Sequence, residues 1–460
     1  MLRTQLGAQL YRKCIETYLE RHGLSSVGTE DLNRVIEELS GRSYDPFFDQ
    51  WVYHGGEPQL QISYSWQEVD KLAKVTVKQT QKANDDVLQF RFRTKLRFKG
   101  KDWVLDRGVE ITGSQHEFYV PLKSKPDIVR FDPEYDLLAK VNFVKPKEML
   151  YAQLADTSDV VGQVLAVEAL KSKKDKKTIA KLKTALNGDP FYGVRIEASA
   201  ALRAIRTPES FNALAASLKQ EDAKIRLRVV NDMGAFFRSE AKTRITDVLR
   251  TEKNPSIVTA AIRNLGKYPG ADVRKLLLGY LSSNSFRNEL AFAAVQAIRT
   301  SDDPDFIAPL MSILKKREKE FTRRNFGTAV NTLAYISRNE EDRSDVREFL
   351  SQVVNHKNDR IQSSAIAALG TLKDPRGIPV VNSFAGGGDR KTRIQRVANA
   401  ALEKLRESEK VSVQLRNLRR EVITLKETSE KLEKKLEDAL KRMEAKGEEQ
   451  KEDDESEKED

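Results

Sequence analysis

The sequence predicts a mainly α chain: an α-solenoid of helical pairs, preceded by a small antiparallel β-sandwich and a helical piece, and followed by a coiled-coil helix. Three patterns carry this reading. Seven segments between Val194 and Leu405 superpose on one another. Short β-rich runs with turn signals between them fill residues 55–146. Apolar residues spaced alternately by three and four recur after residue 406.

The seven segments begin at Val194, Ile225, Ile257, Leu290, Asn325, Ile361 and Ile394, which lie 31, 32, 33, 35, 36 and 33 residues apart. Their fifth position reads Ala198, Val229, Ala261, Ala294, Ala329, Ala365 and Ala398. Their ninth reads Leu202, Met233, Leu265, Ile298, Leu333, Leu369 and Leu402. On a helix, residues four apart share a face. The small residue lets a neighbouring helix approach and the large one fills the gap. Self-similarity at this period marks stacked repeats, none of which buries its apolar face alone. The segment VRIEASAAL resembles the VRxxAxxAL pattern of HEAT-like repeats, which implies a solenoid over 147–405.

The first helix carries Leu6, Leu10, Ile15 and Leu19 and ends at His22-Gly23. Thr29 reads as the N-cap of a second, whose apolar face is Leu32, Val35, Ile36 and Leu39, with Gly41 as its stop. Phe47, Phe48, Trp51 and Val52 read as a further turn and a half of helix, broken by Gly55, Gly56 and Pro58. These blocks, closing with FFDQWVYHGGEPQL, are similar to the end of the catalytic domain in the membrane-alanyl-aminopeptidase (gluzincin) family of zinc aminopeptidases. The match rests on Phe48, Gln50, Trp51, Gly56 and Pro58; Gly55 stands where that family more often has Pro. The resemblance implies that residues 1–54 are the tail of a catalytic domain whose body lies ahead of Met1.

That family holds zinc with H-E-x-x-H, two histidines one helical turn apart and a Glu that activates water. The four histidines here, His22, His54, His116 and His356, have no such spacing. No catalytic, cofactor or metal residue can be carried over, and zinc is expected only in a full-length catalytic relative. Cys14, the sole cysteine, forms no intramolecular disulfide and reads as a small apolar filler.

Six or seven strands are expected in 55–146, including the alternating run Leu88 to Arg93. The end of this region, IVRFDPEYDLLAKVNF, also resembles the close of the family's sandwich domain. The basic positions Arg91, Arg93, Lys95, Arg97 and Lys99 read as a solvated sheet face rather than a nucleic-acid groove, which needs stacking aromatics on the same side. A first helix of the array is expected from Met149 to Lys171, followed by a lysine-rich turn at 171–177 that caps the solenoid's N-terminal end with a wet loop. Pro208, Pro255, Pro269, Pro304 and Pro375 suit helix starts or loops, where the missing N–H costs little. Gly386-Gly387-Gly388 lacks the context of a phosphate cradle.

Basic residues recur near the starts of the aligned helices: Arg195, Lys224 with Arg226 and Arg228, Arg287, Arg323 with Arg324, Arg360, and Arg390 with Lys391 and Arg393. Stacking would line up Arg195, Arg226, Arg228, Arg287, Arg323, Arg324, Arg360 and Arg393. Either they make a binding ridge for an acidic peptide or nucleic acid, or they pair with acids such as Asp222, Glu289 and Asp359.

Leu415, Leu418, Val422, Leu425, Ser429, Leu432, Leu436, Ala439 and Met443 give about four heptads, so 406–446 reads as a coiled-coil helix. Its partner is a second chain or the solenoid itself. From Gly447 the chain is nearly all Glu, Asp and Lys, a composition expected to be disordered.

A length of 460 residues allows roughly two to four domains. A net charge of +11 is compatible with an acidic partner without requiring one. No run of 18 apolar residues exists, and the first residues lack a signal-peptide pattern, so a cytoplasmic setting is the default expectation if Met1 is the natural start. Three functions compete. The first is a non-catalytic C-terminal portion of an aminopeptidase-like protein, supporting or shaping a peptide-binding surface. The second is a stand-alone protein-binding scaffold that oligomerises through its coiled coil, a domain order that resembles the aminopeptidase-like transcription-initiation subunit. The third is a DNA-gripping repeat protein similar to repeat-built glycosylases, for which no acid with groove aromatics is found.

Overall fold

The computed structural model describes residues 1–386, 393–407 and 414–456, with the side chains of the last helix described over 417–439. The chain forms two compact units, Met1–Ile205 and Arg206–Asp460. The division falls within the expected 147–405 array.

The first unit opens with α1 (Leu2–Leu6), α2 (Ala8–His22), α3 (Thr29–Ser40) and α4 (Asp45–Phe48). Cys14, Ile36, Tyr44 and Phe48 form a small core of their own. Leu19 faces solvent, and fully buried Cys14 takes the central place. Helix α3 starts one residue earlier than expected: Gly28 is the cap, and its N–H donates to Asp31 Oδ2 at 2.9 Å. The aromatic run continues as a π-turn, Asp49–Tyr53, rather than as α-helix. This turn points Trp51 at Phe90, with ring centroids 5.1 Å apart, and leaves Val52 exposed.

Seven strands follow: β1 (Gln59–Gln67), β2 (Leu72–Gln79), β3 (Phe92–Gly100), β4 (Trp103–Ile111), β5 (Gln115–Pro121), β6 (Ile128–Phe131) and β7 (Lys140–Phe143). They make a four-stranded sheet, β5-β2-β1-β7, and a three-stranded sheet, β4-β3-β6. Ile62, Val75 and Val77 of the first share one core with Leu96, Phe98, Ile111 and Val129 of the second. Two expectations are corrected. β7 runs parallel to β1, so the domain is not wholly antiparallel. Leu88 to Arg91 are not strand, because the amide groups of Gln50 and Gln79 take the hydrogen bonds that a neighbouring strand would use, at Arg91 and Phe90. The basic strip on β3 is ion-paired: Arg93 with Glu110, Lys95 with Glu134, Arg97 with Asp106, and Lys99 with Asp156.

The single helix expected over Met149 to Lys171 is two, α5 (Lys147–Ala155) and α6 (Val160–Leu170). Asp159 breaks it, because its carboxylate caps Gly162 N at 2.7 Å and binds buried Arg130 at 2.6 Å. α7 (Lys176–Gly188) and α8 (Tyr192–Ile205) complete the unit. The lysine-rich turn joins α6 to α7, so it lies between helices of the array rather than capping its N-terminal end.

The second unit contains α9 (Pro208–Ala215), α10 (Ala223–Met233), α11 (Ser239–Thr251), α12 (Pro255–Leu265), α13 (Ala271–Leu281), α14 (Glu289–Ser301), α15 (Ile307–Arg317), α16 (Arg323–Ser337), α17 (Ser344–Val353), α18 (Asp359–Leu372), α19 (Ile378–Asn382) and α20 (Arg393–Glu407). Repeats begin with a polar cap and often a proline. Thr207, Asn254, Asp303 and Asp374 each accept a main-chain N–H, and Pro208, Pro255, Pro304 and Pro375 follow them. The fifth- and ninth-position residues of the aligned segments are all buried. Small residues set the helix spacing: a Cβ on Gly266 of α12 would stand 2.3 Å from Ala297 O of α14.

The last helix, α21 (Gln414–Ser456), runs through Gly447 and past the expected disordered boundary. No described helix is long and apolar enough to cross a membrane.

Candidate binding groove

The aligned helices α14, α16, α18 and α20 stand side by side and leave an open groove of about 1100 Å³. Its walls carry Arg299, Arg324, Arg360 and Arg393, with Gly327, Thr328, Asn331, Ser364 and Ala367 between them. Arg324, Arg360 and Arg393 sit in the first turn of their helices, where unpaired main-chain N–H groups add positive potential. Among the described residues no carboxylate lines the groove and no ion pair holds these three arginines. Thr328 and Ser364 donate their hydroxyls to the carbonyls of Arg324 and Arg360, at 3.1 and 2.8 Å. Arg299 is fixed differently. Its guanidinium lies 4.2 Å from the Tyr335 ring and donates to Asn331 Oδ1 at 3.2 Å. Gly327 holds α16 close to α18, since a Cβ there would meet Ser364 Oγ at 2.4 Å.

The expected ridge therefore divides. Arg324, Arg360 and Arg393 come together, and Arg323 is exposed beside Arg324. Arg226 instead binds Glu252 at 2.9 Å and the carbonyls of Gln220 and Glu221. Arg228 binds Asp232 at 2.7 Å, and Arg195 donates to Leu186 O. Arg287 lies over the Phe286 ring in a left-handed turn, outside the groove lining. Of the acids named as partners, Asp222 instead caps α10 by accepting from Lys224 N. Arg390 and Lys391 lie outside the described residues. Arg299 and Asn331 were missed because they sit late in their helices. The signal for the groove floor was the hydroxyl at the fourth aligned position, Thr328 and Ser364.

The seam expected on α21 faces solvent. Leu418, Val422, Leu425, Leu432 and Leu436 are 53, 41, 63, 59 and 62% exposed, whereas Arg419 is 8% exposed. Leu415 and Met443 lie outside the described side chains. The helix meets the repeats with its polar face. Glu437 reaches Arg238 at 3.4 Å, Glu430 pairs with Lys242, and Ile423, Lys426 and Glu427 line a small cavity of about 30 Å³ with Tyr268 and Val273.

The histidines are held locally. His116 Nε2 accepts from Gly113 N at 2.8 Å, and His356 Nε2 lies 2.9 Å from Glu318. Among the described residues no group of three His, Cys, Asp or Glu side chains stands ready for a metal ion.

Residues 148–233 match the family of HEAT repeats. Short stretches are similar to three aminopeptidases of Oryza sativa subsp. japonica. Identity is 29% over 70 residues to aminopeptidase M1-C, 30% over 70 to M1-D and 33% over 60 to M1-B. These cover 15, 15 and 13% of this chain, and the chain spans only 8, 8 and 7% of those relatives' lengths. Among solved structures, the crystal structure of Legionella pneumophila aminopeptidase A in complex with aspartic acid is 11% identical, with a TM-score of 0.39, over 88% of this chain and 55% of that one.

Proposed function

From an aminopeptidase-like chain that carries HEAT repeats, we propose a non-catalytic C-terminal portion of an aminopeptidase-related protein whose repeat groove binds an acidic peptide segment. The observation that carries this reading is the convergence of Arg299, Arg324, Arg360 and Arg393 on one open groove, which no carboxylate lines among the described residues. Surface arginines of a repeat protein are ordinarily neutralised by neighbouring acids, as Arg226 and Arg274 are. Guanidinium forks recognise carboxylates in pairs of hydrogen bonds, and a groove between low-dielectric walls concentrates their field.

The test is fluorescence anisotropy of the full chain with a labelled acidic peptide. The chain's own residues 448–460, with nine acids and two lysines, supply a sequence for it. Binding should weaken at least tenfold in Arg324→Glu/Arg360→Glu and steeply with salt. A lysine-rich peptide or single-stranded DNA that binds as well as the acidic one overturns the reading. Hydrolysis of aminoacyl-naphthylamides by the purified chain, with stoichiometric zinc, overturns its non-catalytic part.

A second reading is a scaffold that joins copies of itself through α21. The exposed apolar stripe on that helix favours it. Sedimentation velocity on the full chain at rising concentration tests it.

A further inference from the structure

Helix α21 carries two stripes of the same spacing, one residue apart. Arg419, Ile423, Lys426, Glu430, Glu433 and Glu437 alternate by four and three and face the repeats. Leu418, Val422, Leu425, Ser429, Leu432 and Leu436 follow the same rhythm and face solvent. One residue turns an α-helix by about 100°, so the stripes are separate faces. The first face is spent on this chain's own repeats. The second is left without a partner, and its heptad spacing is the one that seats another helix.

We propose that the occupant is α21 of a second copy, packed antiparallel. The charges decide the direction. With the exposed stripe at the two core positions of the heptad, the flank on one side is Arg419, Lys426 and Glu433, on the side toward the repeats, where Arg419 is hydrogen-bonded and Lys426 lines the cavity. The other flank is Glu421, Thr428 and Lys435. A parallel pair sets the free flank of one helix against the held flank of the other. An antiparallel pair sets free flank against free flank. Glu421 then faces the partner's Lys435, twice by symmetry, and Thr428 faces the partner's Thr428. The same register stacks Leu418 on the partner's Leu436, Val422 on the partner's Leu432 and Leu425 on the partner's Ser429. Every large exposed residue of the stripe is thereby covered.

This rests on the second reading above, and the experiment separates the two. Full-length chains with Cys14→Ser and either Leu418→Cys or Leu436→Cys, distinguished by a tag, are oxidised alone and mixed. Antiparallel pairing predicts a cross-linked heterodimer on mixing and little product from either chain alone, because the two sites lie about 27 Å apart along the helix. Parallel pairing gives cross-linked homodimers of each chain, which overturns the direction while self-association stands. A chain that sediments as a monomer up to 200 μM overturns both. Leu432→Asp, at an exposed position that leaves the repeat core intact, should raise the dissociation constant at least tenfold with unchanged circular dichroism.

Discussion

Arg419 grips Asp302 twice: its Nε donates to the main-chain oxygen at 2.7 Å, and its Nη2 donates to the carboxylate at 2.8 Å. Its Nη1 reaches Ile336 O at 2.7 Å and Glu340 Oε1 at 3.2 Å. Asp302 ends α14 in a left-handed conformation and also takes both Nη atoms of Arg338 at 2.7 Å. Losing Arg419 removes these charge-assisted hydrogen bonds, although Asp302 keeps Arg338, and costs about 3 kcal/mol. Arg419→Met should therefore loosen the docking of α21 on the order of a hundredfold. Amide exchange across 419–437 should accelerate accordingly, while the amides of α16 and α18 keep their protection.

Glu433 sits on the same docked face, with Oε2 buried and lacking a hydrogen-bond partner. Burial raises its pKa, Glu437 and Glu430 add to the rise, and Arg238 opposes it. A carboxyl whose docked pKa is raised carries a penalty that grows as pH rises past its ordinary value, near 4.3. Glu433→Gln should slow amide exchange along α21 at pH 7 and change nothing at pH 4. An equal effect at both values contradicts this assignment.

Gly266, the C-cap of α12, lies directly against the main chain of Ala297 in α14. A methyl there meets main chain, not the tip of a flexible side chain, so the helices must part. Gly266→Ala should destabilise the second unit by about 2 kcal/mol, read as a lower urea midpoint. Gly279, with nothing within 4 Å of its Cβ position, is the control, and Gly279→Ala should be neutral or stabilising.

Lys145 donates to Gln153 Oε1 at 2.7 Å, and its ammonium lies 4.4 Å from the Phe143 ring. Burial, reinforced by Arg130, pushes its pKa down to about 7. An unfolded lysine titrates near 10.4. Between these values the unfolded chain binds more protons, so this residue's contribution to stability rises with pH. Lys145→Met should flatten the stability profile of the first unit between about pH 7 and pH 10, measured by chemical denaturation.

The array was legible because Ala198 with Leu202, and the six matching pairs, obey a helical period that burial enforces. The proline-bearing starts at Thr207 and Asn254 were legible because caps are local. Partners between repeats were not. Arg226 finds Glu252 rather than a nearer acid because the stacking of successive helices sets the meeting point. Arg299 escaped notice because its partners, Tyr335 and Asn331, belong to the next aligned helix. The seam of α21 was visible, but its direction was not. The charged stripe beside it has the same spacing, and Arg419 with Glu430 and Glu437 gives the repeats the stronger hold.

Most links in the second unit join one repeat to the next: Lys267 to Gly234 O, Tyr268 to Phe236 O, and Arg347 to Asp374. Such a stack bends like a coil spring, each turn yielding to its neighbour. Helix α21 ties turns that do not touch, from Arg238 to Glu340. It acts as a tie rod, so tension along these repeats is carried by one strut until Arg419 lets go, and only then by the turns in series.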